Sequence, residues 1–480
     1  MASIDIRQTN KNLLKNTGII ALGNIGTKAL NFFLIPLYTA VLSTSEYGLI
    51  DLLSTYTMIL VIIVNLQVEQ SLFRFLVTAR DNREESKRVI SSAICFSCSM
   101  LVIYTICFCG IRLFFNIEYS WYLIIYVCVA ILLATFSQAS RGIGNNKAYA
   151  AGNFISVAVT IILNVIAVAY LHLGVTAMLV SNIAGPVCGI LFILISTKLY
   201  KYFDFRDINS KTLKKIVKYS LPLVPNEMSW WVIHASDRMI VNAVLGVAAN
   251  GIIAVASKLS GIFTTIFSFF NASWTEQLIL HYHDEGGKDY INKSFEGSFR
   301  FFSAVAIGLI TVMPFIFPFM VNKNFQEAYT VIPLYIVAVF FNVIVGLVSP
   351  IYLINNDTKS VAYSTLAAAV INFIVDCVLI RFVGILAAPI SSICGYAAVG
   401  LWRCWDVNRR YIKLFLPARL VITTAILAFI EIYIYYQNQI TISLLGLLIL
   451  FVCIVLIDLD QIKAIYAYSI STLNLNSGSH

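Results

Sequence analysis

Long apolar runs separated by short polar or turn-forming stretches repeat along the whole chain. A helix needs about 20 mainly apolar residues to cross the hydrocarbon of a bilayer. Fourteen runs approach or exceed that length: residues 17–42, 47–77, 89–111, 121–138, 148–170, 175–197, 219–245, 251–274, 301–321, 329–354, 361–382, 384–402, 414–436 and 440–457. The pattern predicts an all-α polytopic membrane protein of about 14 transmembrane helices.

Two of these runs, between Pro225 and Asn271, are joined by a tight break at Gly246 to Asn250 and carry Glu227, His234, Asp237, Arg238 and Lys258 within them. A central Lys, Arg or Asp costs roughly 2.5–3.5 kcal/mol on insertion scales, so such groups are expected to face a polar interior. At about 3.6 residues per turn, Glu227, Trp230, His234 and then Asp237 or Arg238 succeed one another along one stripe. Lys258, Gly261, Thr265 and Ser268 do the same on the next helix. The expectation is a water-filled, cation-lined cavity.

Composition narrows the class. Of 480 residues, 59% are hydrophobic and 12% charged, with a mean hydropathy of +0.84, where an ordinary soluble domain carries about a quarter charged residues. That excludes a soluble enzyme. The net charge of +9 is explained by where the charges fall and calls for no nucleic acid. Cys95 and Cys98 have a C-x-x-C spacing but stand without a second pair or a nearby His. They and the other cysteines of the apolar runs are expected as small buried hydrophobes. The first sixteen residues are polar and lead into an apolar run too long for a signal core, so the first helix is expected as a retained anchor.

With the amino terminus placed in the cytoplasm, 26 of the 33 Lys and Arg residues fall on that side, including Lys198 to Lys218, and only Arg112, Lys323 and Arg381 fall opposite. This bias orients the chain with both termini inside. A shift of 203 residues lays Ala40 on Ala243, Leu42 on Leu245, Gly48 on Gly251, Ile50 on Ile253, Ser54 on Ser257, Ile59 on Ile262 and Ile63 on Ile266. A parallel internal repeat predicts two six-helix lobes around a central cavity. The expected division is 1–200 for the first lobe, 201–218 for a basic cytoplasmic linker acting as a hinge, 219–405 for the second lobe, and 406–480 for two further helices and a tail.

Other polar residues lie inside the apolar runs. Asn24, Lys28, Asn31 and Tyr38 recur at helical spacing, with Lys28 roughly 17 Å from the inner end of its run. A lysine stem reaches about a turn and a half, too short to bring Lys28 or Lys258 to an interface, which again favours a cavity. In the second run Gln67, Gln70 and Arg74 share one face, and Asp51, Asn65 and Glu69 another. Arg74 there has two readings, an internal pair with an acid on a neighbouring helix or a functional role. Asn372 and Asp376 share a face, with Asp376 in sequence reach of Arg381. Glu431 is expected near the outer interface. Trp121, Trp274, Trp402 and Trp405 sit at run ends as expected of an aromatic belt. Trp230 and Trp231 lie deeper, as a platform for a sugar ring or as core.

The stretch S-D-R-M-I-V-N-A-V-L-G-V-A-A-N-G-I-I-A-V-A-S-K-L-S, Ser236 to Ser260, resembles the D-R, L-G, G-I and A-x-K-L pattern of Wzx-type polysaccharide flippases. Gly26 to Asp51 is similar to that family's opening segment. Where the family usually has an aromatic after G-I, this chain has Ile253. The resemblance implies the fold of the multidrug, oligosaccharidyl-lipid and polysaccharide exporter superfamily, two six-helix lobes around a V-shaped cavity plus two further helices. It implies a transporter and no enzyme: a bacterial inner-membrane flippase that moves an undecaprenyl-diphosphate-linked O-antigen or capsule repeat unit. The polysaccharide polymerase and chain-length machinery would be partners. It places Lys28, Asp237, Arg238 and Lys258 in the substrate cavity or its gates. Asn31, Trp230 and His234 join the substrate candidates. Glu69, Arg74, Asp237 and Asp376 are the candidates for gating or for coupling to H+ or Na+. No catalytic residue, metal site or cofactor is expected.

Within that superfamily an exporter of small organic cations would be expected to line its cavity with carboxylates, whereas the deepest charges here are Lys28 and Lys258. A membrane glycosyltransferase or polymerase needs a sizeable catalytic loop. The nearest thing to one is Glu276 to Arg300, with His281, His283, Asp284 and Glu285, which lacks a helical H-E-x-x-H frame.

Overall fold

A computed structural model describes residue 32 and residues 34–447, apart from 81, 116, 117, 172, 283, 438, 440 and 445. Among the described residues the chain is helical, without a β-strand. The α-helices are α1 (Ile35–Val41), α2 (Thr44–Asn65), α3 (Val68–Ala79), α4 (Arg83–Phe114), α5 (Ser120–Gly142), α6 (Asn146–Asn164), α7 (Gly174–Thr197), α8 (Ser210–Ser220), α9 (Val224–Leu245), α10 (Val247–His281), α11 (Gly287–Met320), α12 (Ala328–Ile354), α13 (Thr358–Val383), α14 (Ala387–Arg410) and α15 (Ala418–Gln437). Among the described residues ten helical stretches are long and apolar enough to cross a membrane. The expected first and last spans lie largely outside the described residues.

Polar caps begin these helices where the sequence supplies them. Ser43 and Glu46 form a reciprocal capping box on α2, and Asn82, Asn145 and Asn209 cap α4, α6 and α8, each satisfying amides that the first turn leaves unpaired.

Two expectations about the elements are corrected. The run 47–77 is two helices, because Leu66 and Gln67 both adopt left-handed backbone with φ of 49° and 58°. A polar knot spans the break: Asn65 Nδ2 donates to Glu69 Oε2 at 2.5 Å, and Ser97 Oγ donates to Asn65 Oδ1 at 2.8 Å. The segment from Glu276 to Arg300 is mostly helix, since α10 runs to His281 and α11 begins at Gly287. Hydrophobic length marks the bilayer, whereas a helix continues until its backbone is stopped.

The described residues fall into two compact units. The first holds those up to Leu259 with Val321–Ala328 and Lys359–Gly395; the second holds Ser260–Met320, Tyr329–Thr358 and those from Tyr396 onward. In the first, Val68, Leu72, Leu76, Ile90, Ile193 and Ile216 are buried in one cluster beneath α8. The basic segment leading into α8 is fastened down: Ser91 Oγ and Ser92 Oγ accept from the amides of Asp204 and Asn209, and Ser71 Oγ donates to the Ile216 carbonyl. In the second, Tyr329 and Tyr435 stack at 4.1 Å and exchange bonds between hydroxyl and backbone carbonyl. Trp274 is buried and donates to the Leu347 carbonyl at 2.9 Å, so it is core and not belt. Glu431 is likewise buried and accepts from Thr311 at 3.0 Å, where interface solvation was expected. Cys98, Cys107 and Cys109 are exposed on α4. An apolar side chain suits the lipid face of a span as well as its core, which is why hydrophobicity alone misplaced them.

Helices in lipid gain little from the hydrophobic effect and associate by close packing at small residues. Gly185 and Gly189 of α7 do this against α6, where a Cβ on Gly185 would lie 1.9 Å from Thr160 Oγ1. Gly185→Ala is therefore expected to lower the thermal midpoint of the purified chain. Gly110→Ala, with open space at its Cβ, should hold or raise it, and equal midpoints for the two variants would contradict this packing.

Candidate functional site

The site lies inside the first unit, between stretches that the 203-residue shift aligns. The starts of α2 and α10 cross with backbones in contact. A Cβ on Gly48 would lie 2.0 Å from the Val247 carbonyl oxygen, and one on Gly251 would lie 2.0 Å from the Thr44 carbonyl oxygen. Thr44 and Val247, like Gly48 and Gly251, stand 203 residues apart, so the crossing is reciprocal. Asn250 Nδ2 donates to the Gly48 carbonyl at 2.8 Å and ties the helices further. This crossing lies at the end of α2 and α10 away from the basic clusters.

The charged residues sit one to three turns below it. Arg238 on α9 donates through Nε to Asp51 Oδ2 of α2 at 2.7 Å, through one terminal nitrogen to Ser257 Oγ at 2.8 Å, and lies 3.3 Å from Asp237 Oδ1 through the other. The guanidinium fork thus fastens α9 to both repeat-related helices. Lys258, roughly 16 Å along α10 from Val247, donates to the Tyr47 hydroxyl at 2.8 Å and stands 4.6 Å from that ring's centre. Protein surrounds Lys258, yet its side chain is exposed. Such a position fits the lining of an opening within the protein. Trp231 Nε1 donates to the Thr55 carbonyl at 3.2 Å. Trp230 is half-buried on the same helix.

A second polar group lies in the same unit. Asp376 on α13 is fully buried, and neither of its carboxylate oxygens has a hydrogen-bond partner. Asn372, one turn earlier, donates toward Ser391 Oγ and Ser392 Oγ at 3.3 and 3.4 Å and leaves its own Oδ1 without a donor. Asp237 lies within electrostatic reach. Three buried oxygens without donors beside a second carboxylate form an acceptor-rich pocket, which a buried charge tolerates only when a proton or cation neutralises it. The expected pair between Asp376 and Arg381 is not made: Arg381 is exposed.

The structure brings Asp237, Arg238, Lys258 and Asp376 into one unit. Glu69 belongs to the knot at the α2–α3 break and not to the Arg238 cluster. Arg74 is exposed and pairs with no acid among the described residues. Lys28 and Asn31 lie outside the described residues, as does the side chain of His234. Sequence reasoning missed Asp51, Tyr47 and Ser257 as the partners that fix the cations. The 203-residue repeat held the signal, since it aligns the stretches that touch. Among the described residues no group of three or more His, Cys, Asp or Glu could hold a metal ion.

A family model described as polysaccharide biosynthesis protein matches residues 13–275, more than half of the chain. The chain belongs to this family. The match covers α2, α3, α9 and most of α10, so the Arg238 and Lys258 cluster is part of the family's own region. No curated protein matches the chain closely in sequence. Among solved structures it is similar to the lipid II flippase MurJ in an inward closed conformation, with TM-score 0.68, 16% identity, and coverage of 92% of this chain and 99% of that one. It is also similar to an inward-facing multidrug MATE transporter of the MOP superfamily, with TM-score 0.68, 14% identity, and coverage of 81% and 98%. The all-α membrane fold expected from the apolar runs is thus the fold of this polysaccharide biosynthesis protein.

Arg238 neutralises two acids at once, so its loss leaves Asp51 and Asp237 facing each other in a poorly hydrated site. Arg238→Met should cost about 3–5 kcal/mol of stability, and adding Asp51→Asn should recover part of it. Thermal melts of the purified single and double variants check this; a double variant no more stable than the single one would refute the pairing.

Proposed function

We propose that this protein moves an undecaprenyl-diphosphate-linked oligosaccharide across the bacterial inner membrane by alternating access. The observation that carries the reading is Lys258, an ammonium group deep in the protein and open to solvent, beside Arg238 in a chain of the polysaccharide biosynthesis family. Similarity to a lipid II flippase supports it. A diphosphate does not cross hydrocarbon bare. Ammonium and guanidinium groups offer it charge-assisted hydrogen bonds, and the planar fork of Arg238 matches phosphate oxygens as well as carboxylate. The sugars would lie against Trp230 and Trp231, and the polyprenyl tail would stay in lipid.

The Gly48–Gly251 crossing acts as the outer gate. An incoming diphosphate draws Arg238 from Asp51 and Lys258 from Tyr47, loosening the ties that hold α2 to α9 and α10 beneath the crossing. Asp376, with the Oδ1 of Asn372 one turn away, takes the coupling H+ or Na+, because oxygen ligands suit a hard cation and these three buried oxygens have no hydrogen-bond donor.

The test is deletion of the gene in its host with complementation. Lys258→Ala should leave lipid-linked repeat units accumulated inside and surface polysaccharide sharply reduced, at wild-type protein levels. Full surface display by this variant would reject Lys258 as a substrate contact. Asp376→Asn should keep the fold and lose the dependence of export on the ion gradient; unchanged gradient dependence would remove Asp376 from the coupling step. Release of labelled organic cations with normal polysaccharide display would instead favour the exporter reading.

A further inference from the structure

On the basic side of the first unit, away from the glycine crossing, a cavity of about 380 Å³ opens between helix ends. It is lined by Arg80, Arg83, Lys198 and Lys201 together with Thr197 and Tyr202. Among the described lining residues there are four cations and no acid, and none of the four is ion-paired. The nearby Glu84 is taken by Lys87 at 3.6 Å.

The cations are held in place by the fold. Arg80 donates through Nε to the Gly142 carbonyl at 2.6 Å and through a terminal nitrogen to the Arg141 carbonyl at 3.0 Å. These carbonyls end α5; they fix the guanidinium without cancelling its charge. Arg83, the first residue of α4, stands 5.7 Å from the centre of the Tyr202 ring. Lys198 follows the last residue of α7 in left-handed backbone, with φ of 55°. That position favours glycine or asparagine, and a lysine there is strained. Its carbonyl accepts from the Lys201 amide at 2.9 Å, which turns the second lysine back to the same cavity.

The level of the cavity points to its ligand. Arg83 opens one membrane-length helix and Thr197 closes another, so the four charges lie at the boundary between hydrocarbon and water, the depth of lipid phosphates. We propose that this cavity binds a phosphate-bearing headgroup, separately from the Arg238 and Lys258 cluster. The chemistry required is a compact anion with several acceptor oxygens, carried by an anionic phospholipid of the inner leaflet or by a free phosphate.

The experiment uses the full chain in detergent, with native mass spectrometry of phosphatidylglycerol and phosphatidylcholine retained from an equal mixture. Lys198→Gly with Lys201→Gln should weaken phosphatidylglycerol binding about tenfold and leave phosphatidylcholine unchanged. The glycine also relieves the backbone, so the variant should fold. Lys211→Gln with Lys214→Gln removes the same charge from the exposed face of α8 and should change binding less than twofold. Displacement of the lipid by added inorganic phosphate would show that phosphate alone suffices; resistance to it would show that the whole lipid is the ligand. Equal loss in the two double variants, or no loss in the first, overturns the proposal.

Discussion

The cost of placing ionised groups at membrane depth governs this protein. Three of the charges described inside the spans show how that cost is met. Arg238 is cancelled by Asp51 and Asp237. Lys258 keeps access to solvent while resting on Tyr47. Asp376 has no partner and must acquire one. A group that satisfies itself within the fold can brace the structure, and one left unsatisfied or wet invites a ligand. By that criterion Arg238 braces the fold, and the proposed function makes Lys258 the standing anion contact and Asp376 the seat of a cation or proton.

The same constraint explains the glycines. Hydrocarbon supplies no drive to bring α2 and α10 together, so contact between them needs backbones close enough for dispersion and for the bond from Asn250 to the Gly48 carbonyl. Side chains at either glycine would hold the helices apart and take Tyr47 away from Lys258. The closed end and the charged site are thus one construction, and a disturbance of either reaches the other.

Much of this was legible in the chain before folding was considered. Apolar runs located the helices, because hydrophobic length reports the bilayer directly. Charges inside those runs marked Asp237, Arg238, Lys258 and Asp376 as belonging to a polar interior. The partners were harder to see. Asp51 and Tyr47 lie some 200 residues away from the cations they hold, and helical periodicity speaks only of neighbours on one helix. The break at Leu66 and Gln67 left no glycine or proline to announce it; a polar knot sustains it instead. Glu431 and Trp274 were misjudged because position along a run gives depth in the membrane but not the side of the helix that meets other helices. Arg403, one residue past the end of the run 384–402, is buried and donates to Ser349 at 2.7 Å.

A transporter must hold its cargo firmly enough to load it and loosely enough to release it. Under the proposed function, the Arg238 arrangement would meet this requirement by exchange. The fork already makes a charge-assisted bond to a carboxylate, so a phosphate oxygen that replaces Asp51 gains one such bond as another is given up, and the net change is small. Lys258 likewise exchanges a hydroxyl and an aromatic face for an anion, the one step with a clear gain in charge pairing. Under that proposal release would need only the return of Asp51, one turn along α2 from Gly48, to Arg238. In that proposal occupancy and closure would be opposed, because one guanidinium serves both.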